Sequence, residues 1–387
     1  MKIVADENIL ALDGWFGKKV ELQLVPGRDI SARHVRDADA LLVRSITRVD
    51  KDLLQGSSVR FVGTATSGTD HLDLDWLAQQ GITVTDAAGA NANAVVEYVL
   101  AALASLIKQD DFALWQSRVA VVGVGHVGSA LIRRLQSLGI DCVACDPLQQ
   151  IVSGVDYVTL EEALGADVVC LHTPLTRHGE YVTWHMLDHQ RLSTLRPETV
   201  LINAGRGEVI AADALQALLQ RVPEQRVILD VWENEPAPAP ALLRQVTIGT
   251  PHIAGYSVEA KLAASRCVLT SLCRHFDRKL PAMLPPSNLP LTVHDERYTA
   301  APRFLGSGDK PDEQVFADIV LETFSPARVS QRFAELYQHG PDGAQVFDRL
   351  RRELAMRREF SASHLHAAAY SPQLAAWLHA AGFVLQA

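Results

Sequence analysis

The stretch "VAVVGVGHVGSALIRRL", residues 119–135, limits what this chain can become more than any other part of it. An apolar run reads as a strand. Gly123, Gly125 and Gly128 follow in G-x-G-x-x-G spacing, and the residues beyond carry helical periodicity. Strand, glycine turn and helix in that order open a βαβ unit that takes a dinucleotide. Gly123 permits the tight turn, Gly125 lets backbone approach a pyrophosphate, and Gly128 lets helix and strand pack closely. The first helical N–H groups and the positive end of the helix dipole then face the phosphates. The next strand pattern, "IDCVACD", ends at Asp146. A carboxylate there accepts hydrogen bonds from the adenosine ribose hydroxyls and repels a 2′-phosphate, and the "PLQQ" that follows offers no cation. The cofactor expected is therefore NAD rather than NADP.

Short apolar runs alternate with helical patterns over the first 255 residues, the mark of parallel α/β architecture. "KIVAD", "VELQLV", "DALLVRS", "VRFVGTAT" and "ITVTDA" form one set of strands; "RVAVVG", "IDCVACD", "DVVCLHTP", "TVLINAG", "RVILDV" and "VTIGT" form a second. A long helix opened by Asn91 or Asn93 joins them, and "SVEAKLAASRCVLTSLCRHF" is a helix returning toward the first set. The expected architecture is two doubly wound parallel-sheet domains with a cleft between them, followed by a smaller α+β domain. Residues 1–91 with 256–284 form a flavodoxin-like substrate domain, 92–255 a Rossmann-type NAD domain and 285–387 the C-terminal domain. "LPPSNLP" marks the last boundary. "FDRLRRELAMRREF", residues 347–360, reads as a basic helix with a solvated face.

Composition narrows the function classes. A net charge of −9 with 48% hydrophobic and 21% charged residues describes a globular protein without reason to bind nucleic acid or an anionic membrane. The apolar stretch 94–107 is too short to span a bilayer and carries Glu97, and "MKIVADEN" reads as a strand, so a cytoplasmic location is expected. Five scattered cysteines suit a reducing compartment. Cys142 and Cys145 have redox-motif spacing but lie in a strand pattern, where residues three apart face opposite sides of a sheet. His185 and His189 share a helix face if "WHMLDHQ" is helical, but no third metal ligand accompanies them, and no metal is expected.

Ligands of an open α/β sheet bind beyond the carboxyl ends of its strands. In the second set those ends deliver Thr173, Arg206 between two glycines, Asp230 followed by Glu235, and His252. Singly, each has an ordinary reading: a turn arginine, a capping aspartate, a loop glutamate, a hydrogen-bonded histidine. Together they suit one reaction. Oxidising a hydroxy acid needs a base for the hydroxyl proton, and histidine is the usual one near neutral pH. A carboxylate beside it holds the tautomer and stabilises the imidazolium. An arginine binds the substrate carboxylate and polarises the developing carbonyl.

The motifs "GVGHVG", "HTPLT", "INAGRGEVI", "LDVWENEP" and "TPHIAG", in this order, resemble those of the D-2-hydroxyacid dehydrogenases. The resemblance covers residues 1 to about 284 and implies Arg206, Glu235 and His252 as the catalytic set. It also implies NAD contacts from His126, Val127, Asp146, Thr173, Ala204, Asp230 and Gly255, beside the glycines of the turn. A further group, "VPGR", "DADALLVRSITRV", "FVGTATSGTDHLD", "NAVVEYVLAAL" and "HIAGYS", with the basic stretch of the tail, is similar to the branch acting on a phosphorylated four-carbon acid. That likeness implies substrate contacts from Ser45, Thr66 and Tyr256 and a homodimer made through the C-terminal domain. Arg44, at a strand end beside Ser45, is a candidate for the substrate phosphate, as is an arginine from Arg351 to Arg358 reaching across a dimer. Two other readings stay open. One is a different 2-hydroxyacid dehydrogenase, of the 3-phosphoglycerate or hydroxypyruvate type. The other is a dinucleotide-sensing corepressor-like protein.

Overall fold

The longer strands form where the sequence runs apolar over four or five residues, and among the described residues the strands pair in parallel. The structure, a computed structural model, describes residues 1–12, 20–110, 112–149, 151–278, 310–339, 343–354 and 357–386. The expected boundary at residues 284–290 lies outside them. Contacts divide the chain into two units, Met1–Asn91 with Ser257–Thr292, and Ala92–Tyr256 with Val293–Ala387.

The first unit holds β1 (Lys2–Asp6), β2 (Glu21–Val25), β3 (Ala40–Val43), β4 (Phe61–Thr64) and β5 (Thr83–Thr85). Their order in the sheet is β2-β1-β3-β4-β5, the flavodoxin-like winding expected. Side chains alternate between two small cores. Val4, Leu41 and Val62 fill one, while Ile3, Leu42 and Phe61 meet Val268, Leu269 and Leu272 of the helix Val258–His275 in the other. Ser257 caps that helix by accepting the Ala260 N–H at 2.9 Å.

The second unit holds β6 (Val119–Val122), β7 (Cys142–Cys145), β8 (Asp156–Tyr157), β9 (Val168–Leu171), β10 (Val200–Asn203), β11 (Val227–Leu229) and β12 (Ile248–Gly249). The order is β12-β11-β10-β9-β6-β7-β8. The winding reverses between β6 and β9, which is the Rossmann switch point where a dinucleotide binds. Every residue of β6, β9, β10 and β11 is buried, because helices cover both faces. On one side lies the helix Ala92–Asp110, apolar around most of its circumference, with the helix His126–Leu138 beside it.

The C-terminal segment completes both cores. Phe316, Val320, Leu374 and Phe383 join the core under Ala92–Asp110, and Phe333, Phe347 and Leu350 join the opposite one. It adds a two-stranded parallel pair, β13 (His364–His366) and β14 (Val384–Gln386). The basic run departs from the single helix expected of it. The helix Gly343–Glu353 ends early, and beyond it Arg357 is only 2% exposed, taken inward rather than solvated. Among the described residues no helix is long and apolar enough to cross a membrane.

Candidate active site

The glycine turn takes the form its spacing demands. Gly123 has φ +89°, and a Cβ there would lie 2.8 Å from the backbone of His172 and Thr173 on the neighbouring strand. A Cβ on Gly128 would overlap the Gly123 carbonyl oxygen, so only glycine lets the helix start so near the strand. Nothing lies within 4 Å of where a Gly125 Cβ would stand, which leaves the helix N-terminus at His126 and Val127 approachable. Asp146, just past β7, accepts the Val124 N–H at 2.8 Å and those of Leu148 and Gln149 at 2.9 and 3.0 Å. Thr173 has a buried hydroxyl with no hydrogen-bond partner. An open cradle of N–H groups, a carboxylate fastened to it and an unspent hydroxyl at the switch point fit NAD. His172 beside it is buried without partners, and burial pushes its pKa down to about 4.

The parallel order places the carboxyl ends of β10, β11 and β12 side by side, and with them Arg206, Asp230 and His252. Glu235 Oε2 lies 2.7 Å from His252 Nδ1, while Oε1 accepts the Trp232 N–H at 2.9 Å. Burial pushes the Glu235 carboxyl up, but the charge and hydrogen bond of His252, the Trp232 N–H and the Arg351 charge together hold it below its ordinary value. It is therefore ionised beside the imidazole.

His252 has φ +54°, a left-handed conformation uncommon outside glycine. Asp230 holds it there. The His252 N–H donates to the Asp230 carbonyl at 2.7 Å, and the Asp230 carboxylate accepts Thr250 Oγ1 at 2.6 Å and the N–H groups of Ile253 and Ala254 at 2.8 Å each. Asp230 is 1% exposed, and burial raises its pKa against those donors. The assignment of Asp230 to a cofactor contact thus meets a carboxylate engaged in shaping the His252 turn. Tyr98 and Trp232, absent from the sequence reading, extend that support: the Tyr98 hydroxyl meets Thr250 Oγ1 at 2.6 Å and Trp232 Nε1 donates to the Thr250 carbonyl at 2.8 Å. Nothing local in an apolar helix marks Tyr98 for this task.

Arg206 stands in extended backbone after β10, its carbonyl held by Asn203 Nδ2 at 2.9 Å. Gly207 must be glycine, since a Cβ would overlap the Trp232 carbonyl. Ala204 and Gly255 sit partly buried on the same strand-end loops. Tyr256 receives Arg351 Nη2 on its hydroxyl at 2.7 Å. Of the four arginines between Arg351 and Arg358, Arg351 lies on Tyr256, and Arg357 donates to the carbonyls of Ala94 and Ala254 at 2.9 and 3.0 Å.

In the first unit Arg44 and Ser45 follow β3 directly, with Arg44 half-buried and its guanidinium without a partner among the described residues. Thr66 Oγ1 lies 2.7 Å from Thr64 Oγ1, which in turn lies 2.9 Å from His71 Nε2.

The other motifs carry no chemistry. Cys142 and Cys145 are free thiols packed into opposite cores, as the strand pattern requires, and burial raises each to about 11. "WHMLDHQ" is helical only from His189, with Asp188 as cap, so the two histidines part: His185 pairs with Glu233 at 2.8 Å and His189 with Asp213 at 3.3 Å. Among the described residues no group of three His, Cys, Asp or Glu forms a metal site.

A family model described as D-isomer specific 2-hydroxyacid dehydrogenase, NAD binding domain, matches residues 104–254. The D-lactate dehydrogenase of Aquifex aeolicus, complexed with NAD and lactic acid, superposes with a TM-score of 0.60 at 22% identity, over 72% of this chain and 96% of that one. The NAD-dependent formate dehydrogenase of Staphylococcus aureus does so with a TM-score of 0.57 at 22% identity, over 74% of this chain and 100% of that one. What these two share with the chain is the fold. Fold, glycine turn and matched model define an NAD-dependent oxidoreductase of the 2-hydroxyacid dehydrogenase class, whose substrates are small hydroxy acids.

Within that class, proteins named erythronate-4-phosphate dehydrogenase are similar along the whole chain. The one from Marinobacter nauticus is 43% identical over 100% of both chains, and that from Chromohalobacter salexigens is 43% identical over 93% of this chain and 92% of its own. The chain belongs to the erythronate-4-phosphate dehydrogenase family.

Proposed function

We propose that this protein oxidises 4-phospho-D-erythronate at C2 to 2-oxo-3-hydroxy-4-phosphobutanoate, a step of pyridoxal 5′-phosphate biosynthesis. The observation that carries the reading is the Glu235–His252 pair, 2.7 Å apart at the carboxyl edge of a dinucleotide-binding sheet, in a chain whose full-length relatives bear that name. His252 Nε2, which takes no partner among the described residues, removes the C2 hydroxyl proton as the carbonyl forms. Glu235 keeps the opposite nitrogen engaged and stabilises the imidazolium. Arg206 binds the substrate carboxylate and the oxygen that gains double-bond character. NAD, when bound, would supply the acceptor for the hydride from C2, while His252 takes the hydroxyl proton. The residues that would hold it are the Gly123, Gly125 and Gly128 turn with His126, Val127, Asp146, Thr173, Ala204, Asp230 and Gly255, Asp230 also shaping the His252 turn.

Arg44, Ser45, Thr66 and Tyr256 make up the substrate contacts in this reading. A half-buried guanidinium with no partner among the described residues supports an anion at Arg44. The same reading makes the protein a cytoplasmic homodimer paired through residues 285–387, which sedimentation tests. The deciding assay follows NADH absorbance with 4-phospho-D-erythronate beside 3-phospho-D-glycerate and D-glycerate. Preference for 3-phospho-D-glycerate would move the protein to another branch of its class, and no turnover of any hydroxy acid would favour a dinucleotide sensor.

A further inference from the structure

Arg351 comes from the C-terminal helix Gly343–Glu353, far outside the residues 104–254 that match the dehydrogenase class, yet its guanidinium lies on an active-site residue. Nη2 donates to the Tyr256 hydroxyl at 2.7 Å, and the guanidinium carbon stands 5.2 Å from the centre of the Tyr256 ring and 5.7 Å from that of Phe347. Its side chain is 15% exposed, its ion pair with Asp348 is stretched to 4.0 Å, and its Nε has no hydrogen-bond partner. Asp348 holds Nη1 only loosely, and Glu235 lies within reach of the Arg351 charge, so a further anion would join a partly balanced cation. The bond to the Tyr256 hydroxyl and the nearness of the two rings limit where the guanidinium can stand. The Arg351 charge acts on Glu235, which lies 2.7 Å from His252, so the guanidinium stands near the proposed acid–base pair.

The proposed substrate carries two anionic groups, the carboxylate on the reacting carbon and a phosphate two carbons further along. One arginine cannot serve both. Arg206 reaches the edge from β10, and Arg351 reaches Tyr256 from the C-terminal helix. We infer that Arg351 is a substrate-binding residue whose guanidinium receives the phosphate monoester, with Tyr256 orienting the fork. Nη1 and the Nη2 hydrogen not given to Tyr256 offer two donors to phosphate oxygens, and the dianion adds to the countercharge that Asp348 supplies only at 4.0 Å. The added C-terminal segment thereby supplies the selectivity for a phosphorylated acid. This inference rests on the proposed reaction.

The test compares Arg351→Gln and Arg351→Lys with the unaltered enzyme, using 4-phospho-D-erythronate, D-erythronate and inorganic phosphate as a competing anion. Losing two charge-assisted hydrogen bonds predicts a rise in KM for the phosphorylated acid of about 10- to 100-fold in the glutamine variant, with a much smaller change in kcat. The fall in kcat/KM is at least tenfold larger for the phosphorylated acid than for D-erythronate, and competition by inorganic phosphate weakens in step. Equal losses on both acids with phosphate competition intact would overturn the assignment and leave Arg351 as a support for Tyr256. If the glutamine variant does not fold, Arg351→Lys decides: charge without the fork weakens phosphate competition, and unchanged competition overturns the proposal. Calorimetry of inorganic phosphate with the NAD-loaded protein keeps the two readings apart. An unaltered enzyme that binds phosphate through Arg351 but does not oxidise 4-phospho-D-erythronate would fail the reaction while retaining the anion subsite.

Discussion

Glu235 Oε2 stands 2.7 Å from His252 Nδ1, and this contact leaves Nε2 as the ring nitrogen open to a substrate proton in the proposed mechanism. With Nδ1 held as the donor to a carboxylate, Nε2 carries the lone pair that accepts a proton. Glu235→Gln replaces that anion by a neutral amide, so the imidazolium loses stabilisation and the basic form of the ring persists to lower pH. The acid limb of the kcat/KM profile for oxidation is expected to move toward lower pH while the maximum falls. A limb that stays in place would separate the two residues functionally.

Replacing His252 with asparagine, which cannot accept a proton near neutrality, is expected to lower kcat roughly 10²–10⁴-fold. Binding of NAD, followed by fluorescence, should stay within a few-fold, because the proposed pyrophosphate cradle at Gly123, Gly125 and Gly128 follows β6 and not β12. Loss of both together would point to collapse of the turn.

Arg206→Ala removes the charge that the proposed mechanism sets on the developing carbonyl and the substrate carboxylate. The expected cost is on the order of 3 kcal/mol in kcat/KM. Arg206→Lys should recover little of it, since a point charge does not reproduce the fork.

Arg44→Ala is expected to raise KM for a phosphorylated acid more than for an unphosphorylated one of the same length. Identical penalties on the two would remove Arg44 from the phosphate contacts.

Glu97 makes a stability prediction. It is 1% exposed inside the helix Ala92–Asp110, accepting Asn93 Nδ2 and the Phe360 N–H at 3.0 Å each. Burial, then the charge of Glu359, pushes its pKa up to about 8, against the opposing influence of Arg357, the Phe360 N–H and Arg134. A carboxyl raised on folding holds its proton in the native state after the unfolded chain has released it. The stability it contributes is full below its unfolded pKa near 4.5 and is lost as pH rises toward about 8. Thermal unfolding between pH 5 and pH 8.5 should show a falling midpoint, and Glu97→Gln should flatten that fall. A parallel decline in both proteins would assign it to other groups.

The strands and the glycine turn could be read in advance because their signals are local. "VVCL", "VLIN" and "VIL" are continuous apolar runs, which only a sheet covered on both faces accommodates, and Gly123 needs its positive φ wherever the turn occurs. β8, β13 and β14 went unread, since two or three residues carry no periodicity. The basic run misled for a related reason: helical periodicity does not reveal that Arg351 and Arg357 turn inward onto Tyr256 and onto the Ala94 and Ala254 carbonyls.

Residue types at strand ends named Arg206, Glu235 and His252, but no local rule joins them. The Glu235–His252 contact, and the placing of Arg206 at the same sheet edge, depend on the order β12-β11-β10 and on Asp230 gathering the N–H groups of Ile253 and Ala254. Glu97 and Glu359 likewise share one interior though 262 positions apart, a proximity only packing creates. Sequence alone therefore determined the elements, the cofactor turn and the candidate chemical groups, each set by interactions among near neighbours. Tertiary structure decided which groups touch and which charges are buried, because those depend on contacts between segments that the chain's covalent order leaves far apart.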